Sequence, residues 1–195
     1  TFTGTSMASP NAAGSINLIA HEFTSRFGHR PLSSTLKALV INTADEAGAS
    51  EGPDYSFGWG LVDTRAAIDV LEAQPADDRG VLEATMDDGQ TLDYQFTVDS
   101  TQPVRLTVAW TDPPGTPPAP SLDPPDKMLV NDLDVRITSV NGGVTTLPWT
   151  LDGLNPSVAA VRGDNNTDNV EEIDVAFLGF CPYQFGALID KNALK

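Results

Sequence analysis

The residue best placed for chemistry is Ser6, in Gly4-Thr5-Ser6-Met7-Ala8-Ser9-Pro10. A serine hydroxyl at the head of a helix sits beside unpaired backbone N–H groups and the positive end of the helix dipole. Such N–H groups suit a developing oxyanion. Gly4 lets the backbone turn sharply and leaves room for a substrate. Thr5 and Ser6 are favoured helix starters, and Pro10 is tolerated in a first helical turn. Ala12, Ala13, Ile16, Leu18, Ile19, Ala20 and Phe23 then cover most of a helix circumference, which predicts a buried helix running to Phe27. The same residues also fit a simpler reading, in which Ser6 is an N-cap and nothing more.

A nucleophilic serine needs a histidine to take its proton and a carboxylate to orient that histidine. The chain has two histidines, His21 and His29. His21 lies on the same helix as Ser6, about 22 Å away at the normal rise per residue. That is far outside hydrogen-bond reach, and His29 is farther along still. Both read as surface or helix-end histidines. A serine with no base is a weak nucleophile at neutral pH.

The heptapeptide Gly4 to Pro10 resembles the nucleophile motif of subtilisin-like serine proteases, the subtilases. Where that family usually continues His-Val-Ala-Gly, this chain has Asn11-Ala12-Ala13-Gly14. The segment Ser34-Thr35-Leu36-Lys37-Ala38-Leu39-Val40 and the later Gly58-Trp59-Gly60 also follow the family order, so the resemblance covers Thr1 to about Gln74. It implies serine endopeptidase activity through an acyl-enzyme on Ser6, a protein or peptide substrate, and secretion. Gly4, Thr5 and Ser6 would lie nearest the substrate and the oxyanion, with the Ser6 N–H as one donor. The family's chain order puts the Asp and His, and the Asn that supplies the other oxyanion donor, ahead of the serine. They are therefore expected upstream of Thr1, in a missing N-terminal part of the catalytic domain, and this chain alone is expected to be inactive. Met7 resembles the methionine that makes many subtilases sensitive to peroxide; ordinary packing is its other reading. The resemblance calls for no cofactor in catalysis.

The elements that must hold this serine follow in order. Gly28 and Pro31 end the first helix. Ser33 or Ser34 can cap a second, with Leu36, Ala38, Leu39, Val40 and Ile41 apolar. Thr43 to Asp54 is loop-like. Phe57 to Val62 reads as a Gly-rich turn and a short extended piece, and Asp63 as the N-cap of a helix over Thr64 to Leu71. The resemblance implies that residues 1–76 are the C-terminal part of an α/β catalytic domain, and Ala73 to Arg79 reads as a linker.

Beyond it the period changes from helix to strand. Val81 to Ala84, Thr91 to Val98, Val104 to Trp110, Val130 to Val140 and Thr145 to Leu151 read as strands. Asp87-Asp88-Gly89-Gln90 and Asn141-Gly142-Gly143 are turn signals, and Pro113 to Pro125 is a proline-dense loop. Short strands at this spacing predict an antiparallel β-sandwich over 80–175, a domain separate from the first. Val108 to Asp112, Leu129 to Val135 and Asn169-Val170-Glu171 resemble the C-terminal jelly-roll β-barrel appended to one group of alkaline subtilases. That group's barrels carry calcium, so the resemblance implies a structural calcium site. Asp112, Asn131, Asp132, Asp134, Asn169 and Glu171 are its candidate ligands, with Asp164, Asn165, Asn166 and Asp168 as further oxygen donors. Asp132 and Asp134 share one face of their strand. Turn-forming Asp and Asn with no ion is the alternative. Residues 176–195 match nothing in the barrel pattern; without closing strands the sandwich would keep an open edge.

Composition narrows the partners. The 195 residues carry 27 acidic and 11 basic side chains, a net charge of −16. Such a surface repels nucleic acid and anionic membranes. No apolar run is long enough to span a bilayer, and the single Cys181 excludes an internal disulfide framework. A second reading, from a different class, is a non-catalytic calcium- or polymer-binding β-sandwich that carries an inert subtilase remnant.

Overall fold

A computed structural model of the chain describes residues 3–73, 80–98, 103–122, 124, 126–140, 143–175 and 183–193. Three helices come first: α1 (Thr5–Phe27), α2 (Ser33–Asn42) and α3 (Thr64–Glu72). Gly28 ends α1 in the left-handed conformation (φ 75°), and its N–H bonds Thr24 O at 3.0 Å, a glycine C-cap. Asp63 caps α3 as the sequence predicts, accepting from the Ala66 N–H at 2.9 Å.

Ile19, Phe23, Leu39, Ala67 and Leu71 are buried together, flanked by Phe27, Leu36, Val40, Val70 and Val81. They form one stripe of α1 against α2 and α3. The rest of α1 is not buried as expected. Among the described residues only Ile19 and Phe23 of that helix are buried, and Leu18 is 60% exposed. Apolar periodicity marks faces able to bury; here α2 and α3, of 10 and 9 residues, cover only one face of α1.

Two expectations fail where α2 begins. Neither Ser33 nor Ser34 is its cap; Leu32 is, without a side-chain bond. Nor do Val81 to Ala84 form a strand. The two corrections share a cause. Glu83 reaches back to accept from the Leu32 N–H at 3.0 Å and from the Thr35 hydroxyl, while Val81 packs on the helical core. The segment is held by side-chain docking on α2 instead of by a ladder.

The strands are β1 (Thr91–Val98), β2 (Val104–Ala109), β3 (Asn131–Ser139), β4 (Thr145–Thr146), β5 (Trp149–Thr150), β6 (Val161–Arg162), β7 (Val170–Val175) and β8 (Tyr183–Ala193). All pairings are antiparallel. One sheet has the order β1-β8-β3-β4, and β2-β7 and β5-β6 are two-stranded ladders. The jelly-roll-like sandwich expected over 80–175 is not shown among the described residues. The tail set apart as unmatched supplies β8, which lies between β1 and β3. The expected strand from Thr145 to Leu151 is two pieces, because Pro148 has no N–H to give a ladder: β4 pairs with β3, and β5 with β6. Most of the expected linker, 74–79, and Asn141-Gly142 of the expected turn lie outside the described residues.

The β2-β7 ladder sits between the other layers, and strand alternation gives its faces different work. Ile173 joins Val135 and Ile137 in a core with Tyr94, Phe96, Val104, Leu106, Val108, Val175 and Ile189, against the four-stranded sheet. The opposite face meets α2. Arg105 Nη1 donates to Asn42 O at 2.8 Å and Ala44 O at 3.0 Å, carbonyls at the negative end of that helix. Asn42 Nδ2 donates to Thr107 Oγ1 at 3.0 Å, and Thr107 Oγ1 donates to Glu172 Oε2 at 2.9 Å.

Burial of Glu172 pushes its carboxyl up to about 7, although the Thr107 bond and the Arg105 charge pull it down. The folded chain therefore holds a proton that the unfolded chain has lost between the ordinary carboxylate value near 4.5 and pH 7. The stability linked to this group is fully present below that window and is lost as pH rises through it. Chemical unfolding from pH 4 to 8 should show a flatter profile for Glu172→Gln than for the parent. Parallel profiles would mean that Glu172 titrates normally.

Candidate functional site

Gly4, at φ 155° and ψ 167°, is the N-cap of α1, and its carbonyl accepts from Met7 N at 3.0 Å and Ala8 N at 3.1 Å. A side chain is strained at this positive φ, which is the local reason for glycine ahead of the serine. Ser6 is therefore a first-turn residue and not the cap, which corrects the simpler reading of the motif. Its side chain is exposed and makes no hydrogen bond to another described residue. The Thr5 and Ser6 N–H groups precede the first intrahelical bonds and point from the positive end of the dipole.

Pro10 falls in the second turn and not in the first. Lacking an N–H, it leaves the carbonyl of Ser6 without its i+4 donor. Met7 is 43% exposed, so its sulfur is open to solvent oxidants.

Neither histidine approaches Ser6. His21 is exposed on α1. His29 lies past the helix end, its ring 5.4 Å from Phe23 and 6.5 Å from Phe27, with Nδ1 3.1 Å from Arg30 O. Among the described residues no histidine lies near the Ser6 hydroxyl.

The six candidate calcium ligands separate into two groups. Asp112 is occupied by protein donors: Val130 N at 2.6 Å, Asn131 N at 2.9 Å and Asn131 Nδ2 at 2.8 Å. Asn169 Nδ2 donates to Trp110 O at 2.6 Å, while its Oδ1 accepts from Lys37 Nζ at 2.7 Å. Asp112, Asn131 and Asn169 thus pin the start of β3 and the end of β2, and Asp112 and Asn169 border a cavity of about 230 Å³ beside Ser33, Ser34, Lys37 and Trp110.

Asp134 and Glu171 instead converge with Asp164. One carboxylate oxygen from each lies within 4.8 Å of the others. Glu171 is fully buried. Its Oε2 accepts the Val135 N–H at 2.5 Å, on the side of β3 beyond β4, which pairs only at Ile137 and Thr138. Its Oε1 is buried with no hydrogen-bond partner, and so is Oδ1 of nearby Asp132. Desolvation, with the charges of Asp134, Asp164 and Asp132, pushes the Glu171 carboxyl up to about 9 against the pull of the Val135 N–H. Burial and Asp134 also raise Asp132, while Lys127 opposes them. Asp164 enters from the loop before β7. Buried Asn165 fixes that loop, donating to Val170 O at 2.8 Å and accepting from Thr167 N at 3.2 Å.

Residues 1–60 match the subtilase family. The chain is also similar to the serine protease/ABC transporter B family protein tagA of Dictyostelium discoideum, at 31% identity over 157 residues, or 77% of this chain. That length carries the likeness well past residue 60. The chain spans 8% of that relative's length. Its first 60 residues are a subtilase-like region, and they contain the exposed Ser6.

A Ser N-cap replaced by Ala costs about 1 kcal/mol, whereas an exposed first-turn serine outside the cap costs within about 0.5 kcal/mol. Ser6→Ala should therefore leave the unfolding free energy almost unchanged. A loss near the full cap value would return Ser6 to a structural role.

Proposed function

We propose that this chain is the nucleophile-bearing part of a secreted subtilisin-like serine endopeptidase. The observation that carries the proposal is the exposed Ser6 hydroxyl on the first turn of α1, beside unpaired N–H groups, inside the region that matches the subtilases. Ser6 attacks the scissile carbonyl of a protein or peptide. A histidine, oriented by an aspartate, takes its proton and returns it to the leaving amine. Both partners belong to a part of the catalytic domain outside these 195 residues, because His21 and His29 are held too far away. The Ser6 N–H and a donor from that other part hold the oxyanion. Water then releases the acyl group. The strand-bearing half is the appended barrel-type domain, which braces the helices through the Arg105 and Asn42 contacts. No helix among the described residues is long and apolar enough to cross a membrane.

The convergence of Asp134, Asp164 and Glu171 favours a second reading, a non-catalytic binding module with an inert remnant. A fluorophosphonate probe on the complete gene product separates the two. The protease reading expects covalent labelling mapped to Ser6, lost in Ser6→Ala, and no peptide hydrolysis by the 195-residue chain alone. A folded complete protein with unlabelled Ser6, or hydrolysis by the isolated chain that Ser6→Ala abolishes, overturns it as stated.

A further inference from the structure

We infer that residues 112–120 are a polyproline II segment whose two outward edges dock into an aromatic-lined, basic-rimmed groove on a partner protein. The sequence there is Asp112-Pro113-Pro114-Gly115-Thr116-Pro117-Pro118-Ala119-Pro120, with proline at every third position, 114, 117 and 120. A polyproline II helix has three residues per turn and no internal hydrogen bonds. The segment is neither helix nor strand, and its burial repeats with that same period. Asp112, Gly115 and Pro118 are half-buried, whereas 113, 114, 116, 117, 119 and 120 are exposed.

One edge therefore lies on the protein and two face solvent. The inner edge is pinned at two points. Asp112 accepts from the Val130 and Asn131 N–H groups. Gly115 passes so close to the Met128 backbone that a Cβ would stand 2.3 Å from its carbonyl oxygen. The prolines fix φ and bring no N–H, so the segment cannot join a ladder as a regular strand.

The outward edges consist of Pro113-Pro114, Thr116-Pro117 and Ala119-Pro120, three X-Pro pairs separated by the inward Gly115 and Pro118. Proline-reading modules take that pattern, because flat aromatic side chains line a groove that accepts successive X-Pro pairs. The prolines hold the bound shape in advance, so docking forfeits little backbone entropy. A stiff spacer also needs prolines, but it needs no order of inward and outward positions. Charge selects the rim of the groove. Asp112 precedes the pairs, and Asp123 and Asp126 follow them, in a chain of net charge −16. The next cation in sequence, Lys127, is taken up by Asn166 Oδ1. A groove bordered by Lys or Arg complements this surface.

The test is titration of the full chain into isolated SH3 and WW domains, basic-rimmed examples included, read by the fluorescence of the groove tryptophan. Saturable binding to at least one domain is expected, weakened by added salt. Pro114→Ala with Pro117→Ala should weaken it roughly tenfold or more, as loss of central anchors does. Thr116→Arg, which keeps every proline and opposes a basic rim, should weaken it as well. Pro118→Ala, on the inward edge, should bind nearly as the parent does. No saturable binding to any domain, or equal losses from inward and outward substitutions, overturns the surface. Dimerisation of the chain that the Pro114 and Pro117 substitutions abolish overturns it too, by making the occupant a second copy.

Discussion

Alternation along the β2-β7 ladder is the constraint on which the rest of the arrangement depends. The ladder lies between the helices and the four-stranded sheet, so neither face of it is free. Ile173 and Glu171 face the sheet, and Glu172 faces α2. Asp174 accepts from Trp149 Nε1 at 2.6 Å and pairs with Arg162 at 2.7 Å. Arg162 in turn lies 3.5 Å over the Trp149 ring, a cation–π contact. One slip in register would exchange these environments, sending two carboxylates into the apolar core and Ile173 onto the polar face of α2.

This arrangement also explains why the acidic residues of β7 behave so differently from those on the surface. Glu172 is buried but has a hydroxyl donor and a guanidinium within reach. Glu171 is buried with a single backbone donor and three acids for neighbours. Consecutive residues of the same type thus acquire different chemistry from the side of the ladder they occupy.

The helical part shows the complementary case, where local sequence does most of the work. The Gly4 cap, the first-turn serine and the C-cap at Gly28 are short-range features, and they place an accessible hydroxyl at the positive end of a 23-residue helix. What they do not supply is a base. Helical rise alone separates His21 from Ser6, and no rotamer change bridges such a distance. The described residues thus hold an exposed serine hydroxyl with no imidazole near it.

The sequence by itself determined what neighbouring residues decide. The nucleophile motif, the helix stops, the Asp63 cap and most strand cores follow from capping, periodicity and turn chemistry, all of which act over a few residues. Tertiary structure decided the rest. Glu83 capped α2 from fifty residues away, 183–193 became the inner strand β8, and Asp164 joined Asp134 and Glu171 while Asp112 and Asn169 were taken up by backbone and side-chain partners. Those outcomes rest on which distant segments pack side by side. No local spacing encodes that choice, because a carboxylate becomes a cap or a brace only through the donor that folding brings to it.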